Sequence, residues 1–416
     1  RLPVRRAGID TYRQPVLYLH RCCLVCHAEG FAALTRVRVK QGSREIIAIL
    51  NVVTGDWLSP DEAALSEAAW QALSPEPGEP VEFAHAEPPE SPDVLRAKVY
   101  GARLDEADFL AVLQDALAAR LSDIELAAFI TTCGGDRLDP AESVALTRAM
   151  ISVGERLDWG AGPVLDKHCV GGLPGNRTTP IVVSIVAALG HRIPKTSSRA
   201  STSPAGTADV MATMTSVDLD VDMLRRVVER EGGCLASGGG MRLSPADDVL
   251  IRIERPLDFD SDGQMVASIL SKKAAAGSTH VLIDIPVGPT AKIRTPAAAD
   301  VVARRLALVG EAVGLRVGIH LSDGRQPVGW GIGPALEARD VLAVLRNAPD
   351  APGDLRERAL DIAAAVLELL PGVVPGSGRV LAAGVLDSGA ALEKFLAICA
   401  AQGGFREPGG ARFVKS

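Results

Sequence analysis

Between Asp166 and Asp209 the chain twice runs from a strand-length apolar segment through a polar loop into a helix, and this double pattern constrains the fold more than any other stretch. In the first pass GPVLD is followed by Lys167-His168-Cys169, and the glycines of GGLPGN lead to a helix predicted to start near Arg177. In the second, an apolar approach to Pro194 is followed by Lys195-Thr196-Ser197-Ser198-Arg199. Ser201, Thr202 and Ser203 then lead into a new helix start across 204–209. Glycines let the backbone approach an anion closely, and the free N–H groups of a helix start point towards it. The first loop is not a Walker loop, because no Gly-Lys-Ser/Thr follows, and it is not the Rossmann GxGxxG. Taken alone, it reads equally well as a structural turn. So many hydroxyls beside Lys195 and Arg199 tip the balance, because charge-assisted hydrogen bonds around a tetrahedral oxyanion explain them better than a capped turn does. The pair points to phosphate chemistry on a small substrate.

Strand and helix continue to alternate beyond Gly160. HVLIDIPVG and GLRVGIHLSD read as strands, and PAAADVVARRLALVGEAVG between them as an amphipathic helix, which is an α/β pattern. Residues 160–245 and 278–416 are expected to form that domain. Residues 1–86 differ. VLYLH, ALTRVRVK, REIIAILNVV and EPVEFAH alternate and are rich in β-branched residues around a short helix in LSEAAWQAL, so a small β-rich domain is expected. The prolines and acids of AEPPESPD make residues 86–93 a linker. Residues 94–158 read as consecutive helices, with Ser122/Glu125 and Asp139-Pro140/Glu142 as capping boxes. Together with about 246–276 they predict a helical lobe, and a cleft between such a lobe and an α/β domain commonly holds a substrate.

Composition removes several classes of function. With a net charge of −7, the chain lacks the basic surface on which general nucleic-acid binding rests, so a phosphate group must be met by local cations. Aromatic residues make up only 4%, too few for base-stacking platforms. No apolar run reaches the roughly 18 residues of a membrane span, and the longest, near Ile181–Leu189, suits one buried helix. The opening RLPVRRAGIDTYRQP has no apolar core of a signal peptide. Seven scattered cysteines fit a reducing compartment, so a cytoplasmic protein without membrane or nucleic-acid partners is expected. Cys23 and Cys26 have metal-ligand spacing near His20, Cys22 and His27. No second pair follows, and buried or turn cysteines without metal are expected.

A third segment runs from Ser244 to Lys273. Ser268 and Lys272, four apart on a predicted helix, share one face and can read the polar edge of a base. Asp247-Asp248 fits a magnesium pair or, equally, a helix cap with a surface acid.

From about residue 20 onward, DKHCVGGLPGN, PKTSSRASTSPAGTAD, LSPADD, ASILSKKAAAGSTH and GPTAK resemble the thymidine phosphorylase/AMP phosphorylase family, which has the glycosyltransferase family 3 fold. The resemblance implies an α/β fold class: a helical lobe and an α/β lobe around a hinge cleft, with the N-terminal β-rich domain added. It implies phosphorolysis, in which inorganic phosphate attacks the anomeric carbon of a nucleoside or nucleoside monophosphate and the base leaves. Phosphate is a co-substrate, and no cofactor is implied. By the same resemblance Lys167, Cys169, Thr178, Ser197 and Thr207 hold phosphate. His168, or Asp260 as in AMP phosphorylases, serves the departing base. Gly172, Ser198, Arg199, Ala200, Ser201, Thr202, Ser203, Ser268 and Lys292 match nucleotide contacts, and Arg255 and Lys272 match base contacts.

Two departures stand out. Cys169 occupies a position where the family has Ser, so a weak thiol donor replaces a hydroxyl, and a thiolate stabilised by Lys167 would be prone to oxidation. The chain also stops at GGARFVKS, where the family continues into a C-terminal domain; that domain is expected to be absent or shortened, and a homodimer is the assembly implied. The substrate stays open between a pyrimidine nucleoside such as thymidine and a nucleoside 5′-monophosphate. The latter needs a further cation, for which Lys195, Arg199 and Lys292 are candidates. Anthranilate phosphoribosyltransferase shares the fold type but is disfavoured by DKH and KTSSR, and a catalytically silent nucleotide-binding protein is the reading from another class.

Overall fold

The computed structural model describes residues 1–11, 14–197, 205–238, 243–257 and 261–409, with only the backbone at 136 and 255. It divides into two compact units: Arg1–Tyr100 with Ala111–Phe129, and Gly101–Leu110 with the residues from Ile130 onward.

In the first unit six strands close into a barrel in the order β1-β5-β2-β4-β3-β6. They are β1 (Leu2–Arg6), β2 (Val16–His20), β3 (Arg36–Gln41), β4 (Arg44–Val53), β5 (Ala63–Leu65) and β6 (Pro80–His85). Alternate residues point inward, so Leu17, Leu19, Val37, Val39, Ala48 and Leu50 fill the barrel. Two short helices, α1 (Leu24–Glu29) and α2 (Glu67–Leu73), and then α3 (Pro92–Val99) belong to the same unit. Ser66 caps α2 by accepting from Ala69 N at 3.2 Å. The sequence foretold β2, β3, β4, β6 and α2 but not β1 or β5. β1 carries Pro3 and two arginines, and β5 is three residues long; each becomes a strand because barrel closure supplies its partners. Cys23 and Cys26 are buried in this core, and burial beside Cys23 pushes the Cys26 thiol up to about 11. Among the described residues no group of His, Cys, Asp and Glu is arranged to hold a metal ion.

Helices α4 (Glu106–Leu117), α5 (Asp123–Thr132) and α6 (Pro140–Ser152) follow. Both predicted capping boxes form. Glu125 N donates to Ser122 Oγ at 3.2 Å and Ser122 N to Glu125 Oε2 at 2.6 Å. Glu142 N donates to Asp139 Oδ1 at 2.8 Å and Asp139 N to Glu142 Oε2 at 3.3 Å.

The second unit is built on parallel strands β7 (Leu165–Cys169), β8 (Ile193–Ser197), β9 (Gly233–Ser237), β10 (His280–Val287) and β11 (Arg316–Asp323). β11-β10-β7 form one sheet and β8-β9 another, and a parallel bridge from Val164 to Arg192 links them. Between and after the strands come α7 (Thr178–Ala188), α8 (Thr207–Ala212), α9 (Val221–Glu231), α10 (Pro245–Leu257), α11 (Asp262–Ala275) and α12 (Pro296–Ala312). The series ends with α13 (Pro334–Leu345), α14 (Gly353–Leu367), α15 (Gly378–Asp387) and α16 (Ala390–Ala401). Helices cover both faces, which is why HVLIDIPV is apolar almost throughout. On one face Leu165 and Leu282 pack with α7, α13 and α14; on the other Val281, Ile283 and Ile285 pack with α11 and α12. The apolar run near Ile181 is α7, buried from Thr178 to Ala187, with Ser184 Oγ donating back to Pro180 O at 2.7 Å. No helix among the described residues is long and apolar enough to cross a membrane.

Candidate active site

Lys167 and His168 were expected just beyond a strand, but β7 runs through them to Cys169. Polar residues can continue the strand because Asp166 and Lys167 find partners inside the unit. Successive strand residues point to opposite faces, so the Lys-His pair is split between two environments.

Lys167 shares the α7 face with Leu165. It is only 1% exposed, and its Nζ donates to Thr178 Oγ1 at 2.9 Å and to Thr179 Oγ1 at 3.2 Å in the first turn of α7. Burial lowers its pKa, opposed by the nearby Cys169 and Asp284. The cation therefore sits where the unpaired N–H groups of an eleven-residue helix converge, an arrangement chemically able to bind an anion. The turn leading there is sterically pinned. Gly172 has φ +86° and a Cβ on it would lie 2.5 Å from Lys292 N; Gly175 has φ +73° and a Cβ would lie 2.0 Å from Val328 O. Gly172 and Lys292, far apart in sequence, are thus brought together.

His168 lies on the other face, with Asp166 and Val170. Asp166 is fully buried and gathers Lys273 Nζ at 2.8 Å, Lys195 Nζ at 3.7 Å and Ser278 Oγ at 3.3 Å. These cations depress the Asp166 carboxyl against the opposing effect of burial. His168 is partly buried beneath them. Burial, together with Lys273, Lys195, Lys272 and Lys167, holds its pKa well below 6.5, so it is a neutral imidazole at neutral pH. Lys195 was a candidate for a substrate 5′-phosphate. It is instead 4% exposed, bound into this cluster and donating to Thr196 O at 2.9 Å, and that assignment is withdrawn.

Cys169 returns to the Lys167 face, opposite Asp284 in the register of β10. Asn176 Nδ2 approaches its sulfur at 3.5 Å. Burial and the Asp284 carboxylate outweigh Lys167 and push the thiol up to about 12. The condition for an oxidation-prone thiolate at Cys169 is therefore not met: burial favours the protonated thiol.

Thr207 opens α8 and accepts from Arg177 Nη1 at 3.1 Å, while Ser197 ends β8 opposite Ser237. On α11, Ser268 and Lys272 do share the partly exposed face. Lys272 is held by Asp247 at 2.8 Å, which gives that aspartate an ion-pair partner in place of the metal role raised for it. Arg255 lies in α10, its side chain beyond description. Asp260 and Ser198, Arg199, Ala200, Ser201, Thr202 and Ser203 lie outside the described residues. Thr179, Arg177, Asp284 and Glu337 went unnoticed in the sequence. Thr179 and Arg177 adjoin the glycine loop and had a signal; Glu337, which pairs with Arg177 at 2.6 Å from about 160 positions away, had none.

Comparison with known proteins bears on the whole chain. Residues 161–392 match the glycosyl transferase family a/b domain, and residues 92–154 its helical bundle domain. A protein of Polaromonas sp. strain JS666 named "Putative thymidine phosphorylase" is 62% identical over 98% of this chain and 80% of its own length. One of the same name from Legionella pneumophila is 54% identical over 99% of this chain and 80% of its own. The crystal structure of anthranilate phosphoribosyltransferase from Thermus thermophilus superimposes with a TM-score of 0.63 at 19% identity, covering 74% of this chain and 99% of that one, a likeness of fold. By its two domains and these relatives, the chain belongs to the glycosyl transferase family, in its thymidine phosphorylase/AMP phosphorylase branch.

Proposed function

We propose that this protein is a pentosyltransferase that cleaves a pyrimidine nucleoside of the thymidine type by phosphorolysis. The observation that carries the reading is the split of Lys167 and His168 onto two faces of one strand end, a buried cation among hydroxyls on one side and a neutral imidazole on the other. In the proposed reaction Lys167, Thr178, Ser197 and Thr207 hold phosphate, with Cys169 as a weak donor. A phosphate oxygen forms a bond to the anomeric carbon as the glycosidic C–N bond breaks. The electron pair leaves with the base, and the sugar 1-phosphate remains. Fixing the nucleophile supplies about 7 kcal/mol or more of the barrier reduction in favourable cases.

Negative charge develops on the departing base. A neutral His168 stabilises it by donating a hydrogen bond, and Asp260 is the alternative proton donor. Ser268, Lys272 and Arg255 are assigned to the base, and Gly172, Lys292 and residues 198–203 to the rest of the nucleoside. The relatives' names support the thymidine reading.

A nucleoside 5′-monophosphate is the second substrate class, favoured by the backbone of Lys292, a candidate cation, running against Gly172, and disfavoured by the capture of Lys195. Product analysis with thymidine, uridine, AMP and CMP, each with and without phosphate, separates the two. Phosphate-dependent release of thymine is expected, and turnover confined to the monophosphates would overturn the thymidine assignment.

A further inference from the structure

Arg177 is the residue before α7 and reaches across to the first residue of α8. It is 8% exposed. Its Nη1 donates to Thr207 Oγ1 in α8, and its Nε lies 2.6 Å from Glu337 Oε2 in α13. Glu337 is completely buried, and its other oxygen accepts from Gly333 N at 3.1 Å, so the carboxylate is anchored to the backbone where α13 begins. Helix α13 packs against both α7 and α8. A buried ion pair of this kind adds little net stability compared with apolar packing, and keeping one calls for another role.

The direction of the hydrogen bonds suggests that role. A guanidinium is only a donor, so Thr207 Oγ1 must accept, and its own proton is left for some other acceptor. Lys167 imposes the same polarity on Thr178 and Thr179. None of these three hydroxyls donates to a described residue.

We propose that Arg177, anchored by Glu337, is a positioning residue that couples the starts of α7 and α8 into one anion site, fixing Thr207 against the start of α7 and turning its hydroxyl proton towards the bound phosphate. This rests on the phosphorolysis reading above. Arg177 adds no net charge, because Glu337 neutralises it; its contribution is geometry.

The test is titration of the whole chain with inorganic phosphate by calorimetry, alongside steady-state kinetics. Arg177→Met is expected to weaken phosphate binding and raise the phosphate KM by about tenfold to a hundredfold, the loss of one charge-assisted hydrogen bond. The nucleoside KM should change much less. Because Arg177 acts through Thr207, the Arg177→Met/Thr207→Val double variant should be little worse than the poorer single one, and Arg177→Lys should recover part of the loss. Glu337→Gln keeps the shape and the bond to Gly333 N while releasing Arg177, so it should weaken phosphate binding even if Arg177→Met fails to fold. Phosphate affinity within about threefold of wild type in either folded single variant, or losses that multiply in the double variant, would overturn the coupling. A wild type that neither binds nor consumes phosphate would overturn the phosphorolysis reading and the coupling with it, and is distinguishable because the variants are then never limiting.

Discussion

The barrel and the parallel sheet solve the problem of an interior differently. In residues 2–85 the buried side chains are Val, Leu, Ala and Cys with a few aromatics, and Ser66 is the only buried polar side chain among the described residues. Charges such as Arg6 and Glu67 pair at 2.8 Å in solvent. Between Leu165 and Glu337, by contrast, Asp166, Lys167, Arg177, Lys195, Lys273, Asp284 and Glu337 are all buried. Taking an ion out of water costs several kcal/mol even after relaxation, so a core selected for stability alone would use apolar residues here. Buried charges gathered around one strand end are the arrangement on which the proposed phosphate site rests.

The largest effect expected from testing this contrast is at Lys167. Lys167→Met should lower kcat/KM for phosphate by about a hundredfold to a thousandfold, as for loss of one preorganised charge contact, while thermal unfolding shows a folded protein. Retained phosphate saturation would show that the buried cation is only structural. In the barrel the expected loss is in stability. Leu50→Ala should cost about 2–5 kcal/mol of the barrel's stability in denaturant unfolding, as for a large core residue replaced by a small one.

His168 sharpens the comparison through pH. Its folded pKa lies below 6.5, so the unfolded chain takes up a proton first as pH falls, and stability should drop through about pH 6.5 and recover above it. His168→Gln should flatten that part of a stability–pH profile; an unchanged profile would mean the imidazole is not held neutral.

Cys169→Ser is a smaller change. A hydroxyl donates better than a thiol, so the phosphate KM should fall by about threefold to tenfold, and alkylating reagents near neutral pH should leave wild-type Cys169 intact, because it stays protonated up to about 12. The smallest effect belongs to Glu67→Ala, which removes a solvent-exposed pair and should leave the melting midpoint unchanged at physiological salt.

Much of this arrangement could be read directly from the chain, and the reasons are local. Glycine and hydroxyl loops, capping boxes at Ser122 and Asp139, and the four-residue spacing of Ser268 and Lys272 depend on neighbours within one or two turns. A nearly unbroken apolar run placed β10, as expected for a strand covered on both faces, and the shorter apolar run of GLRVGIHLSD placed β11, which lies at the sheet edge. The family could be recognised from the same motifs. What failed in the sequence reading involved distance. Lys195 and Arg199 looked alike as candidate phosphate cations, yet Lys195 is bound to Asp166 across two strands. A thiolate at Cys169 would depend on Lys167, but burial first and then Asp284, opposite it on β10, push the thiol up.

The sequence by itself thus determined the α/β class, the two loops that lead into helices, and the residue types suited to phosphate chemistry, since these follow from spacing and side-chain chemistry. Only the tertiary structure decided which face each of Lys167 and His168 lies on, which cations are captured by buried carboxylates, and that Arg177 and Glu337 link the starts of α7 and α8. Those outcomes depend on strand registers and helix contacts between residues more than a hundred positions apart, where Coulomb interactions and burial act through space and not along the chain.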